Sequence, residues 1–177
     1  MRHTCVGFAA FLLFLLLSGC ARTSNTGTNT GSPAPSPGPG ISSSADIVKV
    51  QPSSVVLSPG RNAEGTVTLS IASGFHVNAN PATFSYLIPT ELTAGTIEGI
   101  TTAKPIYPQA EKKKFMFANE PLAVYEGEAQ IRLPLRAEKN LTPGTHSMPL
   151  NIRVQACDHE QCFPPAGLKT NLAIEVK

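Results

Sequence analysis

The chain has no tryptophan, only three tyrosines and eight phenylalanines among 177 residues, and charged side chains at 15 % of positions. With Lys and Arg at 14 against Asp and Glu at 12, neither sign dominates, which leaves no basic surface for nucleic acid or for an anionic membrane. The one basic run, Lys112-Lys113-Lys114, reads as a solvated loop or a strand edge. No apolar stretch reaches the roughly 20 residues that a membrane-spanning helix needs. A sustained 3.6-residue hydrophobic period is missing as well, and this argues against a helical fold. Cysteine is scarce, with four in all.

What is present begins with a leader. Arg2 and His3 precede an apolar run over residues 6–17, which contains Phe8, Phe11 and Phe14 among leucines and is followed by Leu17-Ser18-Gly19-Cys20. The short basic start and apolar centre are those of a signal peptide over residues 1–19. The tetrapeptide resembles a bacterial lipobox, in which small residues leave the peptidase a slim substrate and the cysteine thiol receives lipid. That resemblance implies an extracytoplasmic protein anchored through Cys20 to the inner or outer membrane by several acyl chains, more than the single chain that holds only marginally. Cys5 leaves with the leader and Cys20 is consumed by lipid, so Cys157 and Cys162 remain as one pair in a compartment where disulfides persist.

Residues 21–45 consist largely of Thr, Ser, Asn, Gly and Pro, with Arg22 their only basic residue and Ile41 their only large apolar one. Such a segment buries too little surface to offset its ordering entropy, and the expectation is a disordered tether. From 46 to 177 the pattern changes to period two. It is clearest in Val67, Leu69, Ile71; in Ala129, Ile131, Leu133, Leu135; in Met148, Leu150, Ile152, Val154; and in Leu172, Ile174, Val176. Shorter strands are expected at 54–57, 75–77, 84–88, 114–117 and 122–125, with Pro134 and Pro149 marking edges or bulges. Eight to ten strands in a domain of this size predict an all-β, immunoglobulin-like β-sandwich.

The chemistry-bearing stretch is Ala156-Cys157-Asp158-His159-Glu160-Gln161-Cys162-Phe163-Pro164-Pro165, which lies between two strong strands. Three readings of the cysteines stay open. A structural staple is one, although a ring this small contributes only about 2 kcal/mol in the chain-entropy account. Exchange chemistry is the second, because a short ring in a turn leaves sulfur accessible and keeps the resolving thiol close. A copper(I) site is the third, with His159 beside the thiolates and His76 or Met148 brought in by the fold, though the spacing matches no common zinc site. His76, between Phe75 and Val77 on a strand, would point away from both and is expected at the surface or rim, with a hydrogen-bonding role near the thiols as the alternative. His159 reads as a solvated turn residue.

Residues 155–165 with their flanking strands resemble the thiol motif of the N-terminal domain of DsbD-type thiol:disulfide interchange proteins. The stretch Gly74-Phe75-His76-Val77-Asn78-Ala79-Asn80, with Tyr86-Leu87-Ile88-Pro89-Thr90 after it, is similar to another segment of that group. The resemblance implies an immunoglobulin-like domain whose cysteine pair carries electrons from a membrane thiol reductase to thioredoxin-fold partners, with no cofactor. It implies that Cys162 forms mixed disulfides and Cys157 resolves them. Family members can hold an aromatic cap over the disulfide, and Tyr125 is the residue expected either in that role or as a strand-edge core residue. The chain ends at Lys177 without the transmembrane and thioredoxin-like parts of the full interchange protein, so a separate electron donor is expected. The rival from another class is a noncatalytic β-sandwich interaction lipoprotein with a structural disulfide.

Overall fold

The computed structural model describes residues 40–177; the signal peptide, Cys20 and the tether as far as residue 39 lie outside the described residues. Among the described residues the regular elements are a 3-10 turn, Ser44–Asp46, and twelve strands. The strands are β1 Val48–Pro52, β2 Val55–Leu57, β3 Asn62–Ile71, β4 His76–Asn78, β5 Glu91–Ala94, β6 Ile100–Thr102, β7 Glu111–Lys113, β8 Leu122–Tyr125, β9 Glu128–Ala137, β10 Gly144–Val154, β11 Ala156–Cys157 and β12 Ala166–Val176.

Alternation dictates the packing. Along β9, Ala129, Ile131, Leu133, Leu135 and Ala137 are buried, while Glu128, Gln130 and Arg132 are exposed. Strands β10 and β12 repeat the pattern with Met148, Leu150, Ile152, Val154 and with Leu172, Ile174, Val176. These inward faces belong to two four-stranded sheets, ordered β1-β3-β9-β6 and β2-β12-β10-β5, and they merge in one hydrophobic core. The architecture is an immunoglobulin-like β-sandwich. Pairing is antiparallel throughout except for β2 on β12. At Gly65 the two layers come so close that an added Cβ would lie 2.9 Å from Leu172 Cδ2, and this explains a glycine inside a long strand.

A third, smaller sheet, ordered β11-β4-β8-β7, sits at the end of β10. Only Gln155 separates β10 from β11, so the chain passes from the second sheet to the third within one residue. Beneath the third sheet lies a separate apolar cluster of Phe115, Leu122 and Val124, with Phe84, Leu87 and Ala118 against it.

Several expectations are corrected. Residues 84–88 and 114–117 are turns, because Phe84, Leu87 and Phe115 fold into the small cluster instead of alternating along a ladder. Residues 43–45, expected at the end of the tether, belong to the folded domain: Ser43 caps the 3-10 turn, and Ser44 is fully buried. Pro134 and Pro149 lie on the interior strands β9 and β10, each opposite the point where a neighbouring strand ends. The carbonyl of Pro134 accepts from Ala103 N–H just beyond the end of β6, and that of Pro149 accepts from Gly95 N–H just beyond β5. A residue's N–H and C=O point to the same side of a strand, so each missing donor faces the end of β6 or β5 and the ladders with β3 and β12 lose nothing. The lysine run does fall on an edge, with Lys112 and Lys113 on β7, whose one ladder partner is β8.

Candidate functional site

Cys157 and Cys162 are joined by a disulfide with their Cα atoms 3.9 Å apart, and they face each other across an antiparallel bridge. Main-chain hydrogen bonds close the ring on both sides of this pair. Phe163 N–H donates to Ala156 O at 2.8 Å, and Asp158 N–H donates to Gln161 O at 2.9 Å. The Asp158 carboxylate shapes the tip by accepting from the N–H groups of Glu160 and Gln161, each at 2.8 Å. These bonds to Gln161 and Glu160 hold its carboxyl below the usual aspartate value. His159 is exposed at the tip, as expected for a solvated turn residue.

The base of the ring is held from the other end of the domain sequence. Ser44 Oγ accepts from Ala156 N–H at 2.8 Å and donates to Pro164 O at 2.8 Å, while Ser44 N–H donates to the same carbonyl at 3.0 Å. One serine therefore ties together the two arms that carry the cysteines. The outcome is asymmetric: Cys157 is 1 % exposed, whereas Cys162 is open to solvent.

Strand parity decides what surrounds the sulfurs. Cys157 pairs with His76 and Ala156 with Val77; Val77 in turn pairs with Tyr125, and Asn78 with Val124. Directly paired residues share a face, so Ala156, Val77 and Tyr125 point into the main core. Cys157, His76, Asn78 and Val124 occupy the opposite face. This corrects the expectation for His76, which is 2 % exposed: β4 is an interior strand covered on both faces, and its histidine is not on the rim. The imidazole stacks on Phe115 with ring centres 4.0 Å apart and planes 20° apart. Phe115 stacks on Phe117 at 5.5 Å and lies 6.1 Å from the His159 ring. Burial pushes His76 down to about 4, with the Glu126 carboxylate pulling the other way, so the ring is neutral at pH 7.

Tyr125 is not the aromatic beside the disulfide. It is 4 % exposed on the main-core face, and its hydroxyl accepts from Asn80 N–H at 3.1 Å. Burial raises its pKa. The aromatic group on the disulfide's face comes from the β7–β8 turn, as Phe115-Met116-Phe117. Phe115 is buried, while Met116 is 92 % exposed. The Lys114 ammonium braces this turn by donating to Asn119 O, and Lys113 pairs with Glu126 and, at 3.4 Å, with Glu111. Phe115, Phe117 and Ser44 were missed in the sequence. An aromatic-Met-aromatic triplet after three lysines mimics a short alternating strand, whereas Ser43-Ser44-Ala45-Asp46 carries a legible capping-box signal.

For metal, the geometry offers little. Met148 is sealed inside the main core, away from the sulfurs' face, and the two sulfurs are bonded to each other. Among the described residues no group of three or more His, Cys, Asp or Glu side chains is arranged to hold an ion. No described helix is long and apolar enough to cross a membrane.

Comparison with known proteins gives one family. The N-terminal region of the thiol:disulfide interchange protein DsbD matches residues 44–174. No curated protein matches the chain. Among solved structures, the reduced N-terminal domain of Neisseria meningitidis DsbD is similar at 16 % identity and a TM-score of 0.45, covering 75 % of this chain and 88 % of that one. The N-terminal periplasmic domain of ScsB from Proteus mirabilis is similar at 10 % identity and a TM-score of 0.46, covering 73 % of this chain and 47 % of that one. With a family match over 44–174, well over half its length, the chain belongs to the family of DsbD N-terminal thiol:disulfide interchange domains.

Proposed function

We propose that this protein is a membrane-tethered, extracytoplasmic thiol:disulfide exchange domain, passing electrons between a membrane thiol reductase and thioredoxin-fold partners through Cys157 and Cys162. The observation that supports the reading is the asymmetry of the pair: Cys162 is an exposed residue and Cys157 is buried beside it. In the loading direction a reductant's thiolate attacks Cys162 Sγ, a new S–S bond forms, and the electron pair of the old bond leaves on Cys157 Sγ. A second thiolate of the reductant then breaks the mixed disulfide and leaves both cysteines reduced. In the unloading direction the Cys162 thiolate attacks one sulfur of a partner's disulfide and the other leaves as a thiolate; Cys157 then attacks Cys162 Sγ, releases the bound partner sulfur as a thiolate and closes the ring. Met116 and Phe117, exposed beside the turn, offer an apolar contact for that partner. Residues 1–19 act as the export signal, Cys20 as the lipid-bearing anchor, and the segment that follows as the tether of a domain over 46–177, extended at its start by the Ser44 brace.

The reduction potential tests this against the rival interaction module with a structural disulfide. A shuttle is expected at about −180 to −270 mV, the range of thioredoxin and disulfide isomerase; a value below about −300 mV identifies a structural bridge and ends the proposal.

A further inference from the structure

His76 and Asn78 are buried polar residues on this face that the disulfide chemistry has not yet used, and His76 is the one paired with Cys157. It is directly opposite Cys157 in the β4–β11 pair, so the two side chains leave the sheet side by side, with Cβ atoms about 5 Å apart in such pairs. Its Nε2 is buried and has no hydrogen-bond partner, although buried polar atoms nearly always find one. Stacking on Phe115 fixes the plane of the ring. A structural histidine at this position would be expected to bond a neighbour; here the atom is left open on the residue paired with Cys157, whose sulfur changes its hydrogen-bonding capacity with redox state.

We infer that His76 Nε2 is the hydrogen-bond partner of the Cys157 sulfur that is released when the disulfide opens. The inference rests on the exchange function proposed above. In the oxidised pair Cys157 Sγ is at best a weak acceptor and has no proton to give. When a thiolate RS⁻ attacks Cys162 Sγ, the products are the RS–Sγ bond to Cys162 and a Cys157 thiolate that carries the released electron pair. That anion forms where Cys157 is almost wholly removed from water, and an unpartnered charge there is strongly disfavoured. A neutral imidazole protonated on Nε2 donates to the thiolate without any proton being transferred. Once Cys157 takes up a proton from solvent, the other tautomer accepts from its S–H. The same nitrogen thus serves both forms of the reduced cysteine.

The charges around the ring keep it neutral without committing it elsewhere. Burial disfavours the imidazolium; the Glu126 and Asp158 carboxylates favour it, while His159 and the Lys113 ammonium oppose it. Glu126 and Asp158 are both occupied, the first by Lys113 and the second by the N–H groups of its own turn. Asn78, two positions along the same face, donates its amide N–H to Ile88 O at 3.1 Å, while its Oδ1, like His76 Nε2, is buried without a hydrogen-bond partner.

The test uses the full chain carrying Cys5→Ala and Cys20→Ala, so that only the redox pair titrates. With Cys162→Ser added, thiolate absorbance reports Cys157 alone. His76→Phe, which keeps the stacked ring and removes the nitrogen, should move that titration upward by about 1 to 2 pH units, and His76→Gln, which restores a donor, should recover part of it. In the intact pair, His76→Phe should slow the attack of Cys157 on a glutathione mixed disulfide at Cys162 by about ten- to a hundredfold below pH 8. The oxidised His76→Phe protein should melt no lower than the parent, since an apolar ring replaces an unsatisfied polar one. An unchanged Cys157 titration, or a loss of melting temperature without a change in titration, overturns the role of His76. Failure of the parent pair to exchange with glutathione at all would instead strike the exchange function, and the Cys157 titration would still decide the role of His76.

Discussion

Replacing Ser44 by alanine should loosen the cysteine ring and destabilise the whole domain, although Ser44 is more than a hundred residues from either cysteine in sequence. The substitution removes two hydrogen bonds and keeps a third. Pro164 O loses the hydroxyl but retains Ser44 N–H at 3.0 Å, so it stays satisfied. Ala156 N–H loses its acceptor outright, and Ala156 is fully buried. Leaving one buried donor unpaired costs about 1–3 kcal/mol, and the second hydroxyl bond adds at most about 1 kcal/mol. We therefore expect a loss near 2 kcal/mol, seen as a melting temperature lower by roughly 6–12 °C for a domain of this size. Urea unfolding of the oxidised protein measures the first quantity, and hydrogen exchange locates it, because the Ala156 amide should lose protection before the amides of β9 or β10 do. Ser43→Ala is the control: Ser43 Oγ accepts from Ala45 N–H at 3.2 Å and takes part in the capping box of the 3-10 turn, and its loss should cost about 1 kcal/mol without exposing Ala156. A Ser44→Ala loss below about 0.5 kcal/mol, or unchanged protection at Ala156, would refute the brace.

Stability should also depend on pH through His76. Its folded value near 4 lies below the 6.5 of an unperturbed histidine, so the unfolded chain binds the extra proton between these values. The contribution is complete above pH 6.5 and is lost as pH falls toward 4, by up to about 3 kcal/mol, and His76→Phe should flatten that slope in denaturant melts. The depressed Asp46 and Asp158 carboxylates also lose their contributions on acidification, but at lower pH, below the ordinary 3.8 of an aspartate, which leaves the histidine window separate. Met116→Asp, at a side chain 92 % exposed, should leave the melting temperature and the rate with glutathione unchanged while slowing exchange with a thioredoxin-fold protein about tenfold. Equal slowing with both oxidants would show that the turn acts on the disulfide and not on the partner.

Much of the sandwich was legible because its long strands each have one face on the core. Val67 to Ile71, Ala129 to Leu135 and Met148 to Val154 alternate cleanly, and parity carries straight into burial. The third sheet was harder to read because both faces of β4 are covered, one by the main core and one by the Phe115 cluster. Alternation around His76 therefore carried no inside-outside signal. Tyr125 was a candidate cap through the family resemblance, and residues 122–125, nearly all apolar, gave no parity against it; register with Val77, which no single strand reveals, turns the tyrosine into the core. The cysteine pair was legible by elimination, since Cys5 falls in the leader and Cys20 at the lipobox, and its exchange role came from the family resemblance. Its neighbours were not, since Ser44, His76 and Phe115 reach it from three distant segments through pairing and packing that arise only in the folded domain.

The central claim is that the two sulfurs have unequal roles, and trapping measures this directly. In cells producing the full chain, acid quenching and thiol alkylation preserve any mixed disulfide, and mass spectrometry identifies the cysteine that carries it. With Cys162 open to solvent and Cys157 1 % exposed, the account predicts that Cys157→Ser accumulates a mixed disulfide between Cys162 and a thioredoxin-fold protein, and that Cys162→Ser accumulates none. A mixed disulfide on Cys157 in the Cys162→Ser protein, with none on Cys162 in the Cys157→Ser protein, would contradict it.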